Sequence, residues 1–237
     1  REKIRRLRHL CRTVTESLTP NNRNMLEWYF FGETRRNERI TANEIKEVMD
    51  TARQRRSTIR EVPLSYILDI LDRTGRKFAD TESDFFRSVV ETMNRQLGWS
   101  PEMVEEGLAT ISDILTYDHL VARMEADLGD IGYVDGFVYN PAFKGMIRAM
   151  PCGIVSHVSA GNVFVGAVDT LVQGLITKNV NILKMSSADP VFPVIFAKAL
   201  RDADYMGILA GAFALVPFKG GDEEVESILK QETDVLV

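Results

Sequence analysis

Two short polar segments in the second half of the sequence have residue types that could bind a ligand or take part in a reaction. Ser159, Ala160, Gly161 and Asn162 follow an apolar run and precede a helical pattern. Small residues before a helix let a ligand approach its unpaired N–H groups, and an asparagine amide can donate to an oxyanion. Because asparagine is also a common helix cap, the pattern leaves a catalytic and a structural interpretation open.

Lysine and glycine follow the next two apolar runs. Lys184 ends the second run, with Ser186 and Ser187 close behind it, and an ammonium there could bind a nucleotide ribose or phosphate. Gly220 and Gly221 follow the third run and could cradle a pyrophosphate. The alternatives are a lysine that simply reaches solvent and a tight glycine turn.

Histidine and cysteine suggest neither a metal site nor a nucleophile. Cys11, Cys152 and three scattered histidines match no zinc-binding spacing, so we expect no metal. A lone cysteine without an electropositive setting is usually inert. His157 lies within an apolar run, which favours a hydrogen-bonded core histidine. Two isolated cysteines also favour a reducing cytoplasm.

Alternating strand and helix patterns predict the architecture that positions these residues. Runs rich in β-branched residues predict strands at 153–158, 180–184, 212–216 and 234–237. Helical patterns separate them, starting near residues 164, 190 and 222. The alternation predicts an α/β fold with a parallel sheet, whose ligands bind at the carboxyl ends of the strands.

The first 130 residues predict helices. The predicted starts are a capping box of Thr41 and Glu44, Pro63 as a first helical residue, and Thr81 with Asp84. Gly98 is predicted to end the third of these helices. A further helix is predicted from Ser100-Pro101 to Gly129.

A hairpin is predicted from Tyr133 to Tyr139, because Asp135-Gly136 between β-prone residues is typical of a tight turn. We therefore divide the chain into a helical region, a hairpin with a connecting strand that could serve oligomerisation, and the first part of a sheet domain. The predicted boundaries are 1–130, 131–150 and 151–237.

Charge and composition exclude several classes of protein. The 237 residues are 45% hydrophobic and carry a net charge of −5, although residues 1–60 hold 15 basic and 8 acidic side chains. Near the start, basic positions form one helical stripe and apolar positions the opposite one: Arg1, Arg5, Arg8 and Arg12 against Ile4, Leu7, Cys11, Val14 and Leu18. This pattern is typical of a solvated face behind a core face, and no recognition motif supports nucleic-acid binding.

Polar residues and glycines interrupt the uncharged stretch 149–168, so no membrane span is expected.

Two longer segments carry a resemblance to a known family. They read MPCGIVSHVSAGNVF at 150–164 and GLITKNVNILKMSS at 174–187. They resemble the fatty acyl-CoA reductases of the aldehyde dehydrogenase superfamily, a family that includes the reductase supplying long-chain aldehyde for bacterial bioluminescence. The resemblance is strong over 150–237 and looser over 60–150. It implies an aldehyde-dehydrogenase-like, Rossmann-like dinucleotide-binding sheet, of which this chain holds the N-terminal part.

The resemblance also implies roles for single residues. Asn162 matches the family's catalytic oxyanion donor, and Lys184 matches the lysine that binds the adenosine ribose. The implied cofactor-binding set is Ser159, Ala160, Gly161, Lys184, Ser186, Ser187, Gly220 and Gly221. NAD-preferring relatives often place a glutamate where this chain has the neutral Ser187, so NADPH is expected to be accepted.

The implied activity is the reduction of an acyl-CoA or acyl-protein thioester to a fatty aldehyde with NADPH. The family's catalytic cysteine comes after the fourth strand, so it is expected beyond Val237, and the fragment alone is expected to be inactive. The expected partners are an acyl-protein synthetase and further copies of the chain. Alternatives are another oxidoreductase of the superfamily and a non-catalytic nucleotide-binding scaffold, which the downstream sequence would distinguish.

Overall fold

The computed structural model describes residues 40–159 and 164–237. Helices fill the first part of the described chain, followed by a short antiparallel pair of strands. They are α1 (Ala42–Arg60), α2 (Leu64–Ala79), α3 (Asp84–Leu97), α4 (Pro101–Ile114), α5 (Tyr117–Leu128), the single turn α6 (Gly132–Asp135), β1 (Val138–Asn140) and β2 (Gly145–Ile147).

A parallel sheet forms the second part, as predicted. Its elements are β3 (Ile154–Val158), α7 (Phe164–Ile176), β4 (Val180–Lys184), α8 (Phe192–Ala203), β5 (Phe213–Val216), α9 (Glu223–Glu232) and β6 (Val235–Leu236). The strands lie in the order β5-β4-β3-β6, and each neighbouring pair is parallel. The α/β class and the predicted strands are therefore confirmed.

Helices cover both faces of this sheet. Helices α7 and α8 contact each other on one face, and α1 contacts α9 on the other. Helices α2 and α4 pack in turn against α7, so a single apolar core runs through the described residues. Strands β3, β4 and β5 are largely buried on both faces, which explains why their sequences are continuous apolar runs rather than alternating ones. The edge strand β6 is more exposed.

The winding of the chain reverses at β3. From β3 the sheet extends through β4 and β5 on one side, whereas β6 pairs with the opposite edge of β3. The connections on the two sides cover opposite faces, so the carboxyl ends of β3 and β6 lie at a topological switch point of the sheet. Open parallel sheets bind ligands at such a switch point.

Local signals placed several helix ends correctly. The capping box at the start of α1 is present: Thr41 Oγ1 accepts from the Glu44 N–H, and the Glu44 carboxylate accepts from the Thr41 N–H at 2.7 Å. Gly98 ends α3 with a φ of 72°, and Gly129 ends α5 with a φ of 81°.

Other helix boundaries differ from the prediction. Pro63 is the N-cap of α2 rather than its first residue, and the cap of α3 is Ser83, whose Oγ accepts from the Phe86 N–H at 3.1 Å. The helix predicted from 101 to 129 is two helices, α4 and α5. The second starts where the Tyr117 N–H donates to the Asp72 carboxylate of α2 at 3.1 Å, a long-range bond with no local sequence signal.

The hairpin lies later in the chain than predicted. Asp135 ends α6, and Gly136 has an extended φ of −167°, so Asp135-Gly136 is not a hairpin turn. The strands that pair are β1 and β2, and the turn follows Asn140. The Asn140 Oδ1 accepts from the N–H groups of Ala142 and Phe143, at 2.9 and 3.2 Å. These bonds stabilise the turn that the prediction missed.

Some predictions fall outside the described residues. These are the amphipathic pattern of residues 1–18 and the roles of Ala160, Gly161 and Asn162. The predicted domain boundaries near residues 130 and 150 stay predictions. Helix α1, which belongs to the predicted helical region, packs on the sheet. Within residues 40–159 and 164–237, no helix has the length and apolar character needed to cross a membrane.

Candidate functional site

The two polar segments that follow β3 and β4 meet at the same edge of the sheet. Val158 and Lys184, the last residues of the two strands, lie opposite each other in the parallel register. The Ser159 N–H donates to the Lys184 carbonyl at 3.1 Å. Residues 160–163, which include Asn162, are not described, but the chain leaves β3 at Ser159 and resumes at Phe164 in the first turn of α7.

Lys184 is half-buried, and its ammonium lies over an aromatic ring. Its Nζ lies 5.1 Å from the centroid of the Phe218 ring, a cation–π contact, and Phe218 itself is buried just after β5. The contact joins the ends of β4 and β5. No described residue is hydrogen-bonded to this ammonium, so its donors can serve a bound ligand.

Glu226 adds a carboxylate to this edge that the sequence analysis did not identify. One carboxylate oxygen accepts from the Gly221 N–H at 2.9 Å, and the other pairs with Lys230 at 3.2 Å. The Gly221 bond, followed by Lys230 and the nearby charge of Lys184, lowers the pKa of Glu226. The acidic residue four positions after the cap Asp222 is the local signal that could have revealed it.

Gly220 and Gly221 are exposed and form the turn between β5 and α9. Gly221 has a φ of 88°, which only glycine adopts at no steric cost, and its N–H is already bound to Glu226. The geometry therefore favours the tight-turn interpretation for Gly221. A pyrophosphate role for the two glycines stays a prediction.

Ser187 is exposed because its neighbours build the turn after β4. The Ser186 Oγ accepts from the Ala188 N–H at 3.1 Å, and the buried Asp189 carboxylate accepts from two N–H groups at the start of α8, including that of Phe192 at 2.9 Å. Burial raises the pKa of Asp189, and the two hydrogen bonds oppose that shift. The side chain of Ser187 is left facing solvent beside Lys184.

His157 belongs to the sheet interior, as predicted. It is 3% exposed, and its Nε2 lies 3.0 Å from the Asn181 Oδ1. The Asn181 amide nitrogen donates to the Asn179 carbonyl at 2.9 Å, so the amide oxygen faces the histidine and Nε2 carries the hydrogen. Burial lowers the pKa of His157. A Cβ at Gly174 would lie 1.8 Å from the same oxygen, which explains the glycine in α7.

A second lysine lies at the opposite end of β4. Lys178 is 3% exposed, adopts a left-handed φ of 60°, and forms an ion pair with Asp135. The Asp135 carboxylate also accepts from the Leu64 N–H at 3.0 Å and so caps α2, whose own N-cap residue has no side-chain donor or acceptor to do so. This cluster ties α6, α2 and β4 together, and its role is structural.

The fold defines the class of protein. The structure resembles the glyceraldehyde-3-phosphate dehydrogenase GapN from Methanocaldococcus jannaschii complexed with NADP, with a TM-score of 0.64 and 16% identity over 85% of this chain and 47% of that one. The described residues therefore have an aldehyde-dehydrogenase-like fold.

Sequence comparison identifies the family within that class. Residues 59–237 match the family described as Acyl-CoA reductase (LuxC), and the chain belongs to this family. It is 32% identical over 142 residues to a long-chain acyl-protein thioester reductase of Photobacterium phosphoreum, covering 60% of this chain and 29% of that protein. The corresponding protein of Photorhabdus luminescens is 28% identical over 179 residues, or 75% of this chain and 37% of that protein. The chain thus spans about a third of the length of these relatives.

Proposed function

We propose that the protein to which this chain belongs reduces long-chain acyl thioesters to aldehydes with NADPH. The observation that carries this proposal is the family match over residues 59–237, which includes both motif segments and the whole described sheet. Relatives over this region are named long-chain acyl-protein thioester reductases. The acyl group would reach the enzyme on coenzyme A or on an acyl-protein synthetase, and the proposed location is the cytoplasm.

The residues at the carboxyl edge fit a nicotinamide dinucleotide. Lys184 is half-buried with its ammonium over the Phe218 ring, at the end of the strand next to β3, where the sheet winding reverses. We infer that this ammonium binds the ribose hydroxyls and that Ser186, Ser187 and the Gly220 turn contact the adenosine half. When bound, the dinucleotide supplies a hydride to the acyl carbon.

The segment from Ser159 to Asn162 would act on the substrate and the nicotinamide end. Its sequence precedes α7, and N–H groups at a helix start carry a partial positive charge. We infer that the Asn162 amide donates to the oxygen of the thioester carbonyl as negative charge develops there. A cysteine, which the family resemblance locates after the fourth strand, would attack the carbonyl carbon and expel the thiol.

Neutral Ser187 supports NADPH as the preferred cofactor. A carboxylate at this position would oppose a 2′-phosphate, whereas a serine hydroxyl can donate to it. Glu226 is the nearby carboxylate that acts against this preference. The Glu226 carboxylate already accepts hydrogen bonds from the Gly221 N–H and Lys230, which limits its repulsion of a 2′-phosphate.

The experiment that tests the function is an assay of the complete protein with a long-chain acyl thioester and NADPH, compared with Asn162→Ala. If Asn162 is the oxyanion donor, turnover falls by about 100- to 1,000-fold while the Kd for NADPH changes little. Asn162→Asp keeps the size of the side chain but repels the oxyanion, so it should be at least as slow. An equal loss of turnover and cofactor affinity would contradict the oxyanion role, and no aldehyde from any acyl thioester would contradict the function.

We also propose that the β1–β2 hairpin joins copies of the chain. Its apolar side chains are exposed although they lie beside a formed hairpin: Phe137 is 66% exposed, Tyr139 58%, Phe143 77% and Met146 59%. An exposed apolar set of this kind is typical of an interface. Light scattering of the complete protein should show a lower mass for Tyr139→Lys with Met146→Lys, and an unchanged mass would contradict the proposal.

A further inference from the structure

A groove between α3 and α4, with the end of α2 beneath it, has no part in the site proposed above. Its volume is about 850 Å³. The floor is apolar: Phe78 and Phe86 are buried, Val90 is half-buried and Ala109 is exposed. An apolar channel between two helices is the surface on which a third amphipathic helix packs.

The rim of this groove is acidic. Five carboxylates line it: Glu91, Glu102, Glu105, Glu106 and Asp113. Across residues 40–159 and 164–237, none of the five forms an ion pair. The basic residue that lines the groove, Arg87, is already paired with Asp84 at 2.6 Å. The surplus of negative charge around an apolar floor favours a cationic amphipathic occupant.

The chain itself contains a segment with this chemistry. In residues 1–18, apolar residues recur at alternate spacings of three and four, a heptad pattern that packs along one seam: Ile4, Leu7, Cys11, Val14 and Leu18. The same segment has six basic and two acidic side chains. Arg1 and Arg8, the members of the basic stripe nearest the seam, flank it on one side and Lys3 flanks it on the other, where they would face the walls of a groove.

Length and reach are compatible with this occupant. Helices α3 and α4 have 14 residues each and are about 21 Å long, against about 27 Å for an 18-residue helix. The described chain starts at Ile40, whose N–H donates to the Pro217 carbonyl at 3.2 Å. Residues 19–39 can span up to about 70 Å, which exceeds the diameter of about 40 Å expected for a compact domain of this size.

We propose that residues 1–18 bind as an amphipathic helix in the groove between α3 and α4 of the same chain. The apolar seam lies on the floor of Phe86, Val90 and Ala109, and the flanking basic residues pair with the carboxylates of the rim. The segment thereby adds a third helix to the α3–α4 pair and covers its apolar surface.

Cross-linking tests the position of the segment. Cys11 lies on the proposed seam and Ala109 on the floor, so Ala109→Cys in a Cys152→Ser background of the complete protein should form a disulfide with Cys11 under mild oxidation. Ala126→Cys, an exposed alanine of α5 outside the groove, is the matched control. Peptide mass mapping at low protein concentration should show the link within one chain at least tenfold faster for Ala109→Cys. Equal rates would overturn the proposal, and so would a link between two chains, because a second copy would then fill the groove.

Hydrogen exchange tests the charge complementarity. Amides of residues 4–18 should exchange at least tenfold more slowly than an unstructured peptide of the same sequence. Glu105→Lys should remove most of this protection, Arg8→Glu added to it should restore part, and Glu125→Lys on α5 should have no effect. Absence of protection in the unaltered protein, or protection insensitive to Glu105→Lys, would overturn the proposal.

Discussion

Lys178 and Lys184 lie at the two ends of β4 and differ in burial and in the groups they contact. Lys178 is 3% exposed, forms an ion pair with the partly exposed Asp135, and lies at the amino end of the strand. Lys184 is half-buried, and its ammonium lies over the Phe218 ring at the carboxyl end. The contrast shows that two lysines at the ends of one strand can have different environments, one in an ion pair and the other over an aromatic ring. The partners available at each end decide which environment each lysine has.

The largest expected effect concerns the buried lysine. Lys178→Ala should lower the free energy of unfolding by about 2 to 3 kcal/mol, because it breaks an ion pair whose ammonium is buried, although Asp135 is 46% exposed and can still reach water. Lys178→Gly should recover about 1 kcal/mol of this loss, because glycine adopts the left-handed φ of 60° without steric cost. Urea unfolding of the complete protein measures both. If Lys184→Ala destabilised as much, the contrast between the two lysines would fail.

The half-buried Lys184 should affect cofactor binding instead. Lys184→Met should weaken NADPH binding by about 10- to 100-fold, the range expected for losing charge-assisted hydrogen bonds. Fluorescence titration of NADPH in the complete protein gives the Kd. Lys198→Met, at an exposed lysine of α8, is the control and should leave the Kd unchanged. An unchanged Kd for Lys184→Met would refute the cofactor role of this edge.

Cofactor choice gives a smaller effect at the same edge. Ser187→Glu should shift the ratio of kcat/KM for NADPH over NADH by about tenfold towards NADH, because an exposed, partly screened carboxylate repels the 2′-phosphate. Ser187→Gln introduces a side chain of nearly the same size as glutamate but without the charge, so it should shift the ratio much less. If both variants changed the ratio equally, size rather than charge would decide the preference.

The smallest effect is the pH dependence of stability that comes from the buried His157, which is hydrogen-bonded to Asn181. The pKa of His157 is lowered by burial, so below about pH 6.5 the unfolded chain binds a proton that the folded chain does not. Stability contributed by neutral His157 is therefore lost as the pH falls, by at most about 1.4 kcal/mol per pH unit. His157→Gln can still donate to Asn181 but does not titrate. The unfolding free energy of the unaltered protein, relative to that of His157→Gln, should therefore fall from pH 7 to pH 5, and a constant difference would contradict this assignment.

Local patterns predicted the parts of the fold whose cause is local. Strands β3, β4 and β5 are apolar because helices cover them on both faces, and that requirement is visible in sequence. The capping box at Thr41 and the glycine ends at Gly98 and Gly129 depend on atoms within a few residues. His157 was likewise correctly predicted as a core residue, since its neighbours in the strand are apolar.

The predictions of the hairpin turn and of the helix from 101 to 129 were wrong because residues distant in sequence supply the hydrogen-bond partners there. Asp135-Gly136 has the composition of a hairpin turn, but the Asp135 carboxylate binds the Leu64 N–H, 71 positions away, and the Lys178 ammonium. The break between α4 and α5 depends on Asp72 of α2. Glu226 was missed at the candidate site for a related reason. Its proximity to Lys184 depends on β4 and β5 being neighbours in the sheet.

The sequence by itself determined the α/β class, the order of the strands along the chain, and the family resemblance of the segments after β3 and β4. Burial patterns and motifs are short-range properties of a chain, so they can be read without coordinates. Only the tertiary structure decided that Lys178 is buried while Lys184 is half-buried, and that Glu226 joins the carboxyl edge. Those outcomes depend on side chains far apart in sequence whose distances are set by the packing of the sheet and its helices.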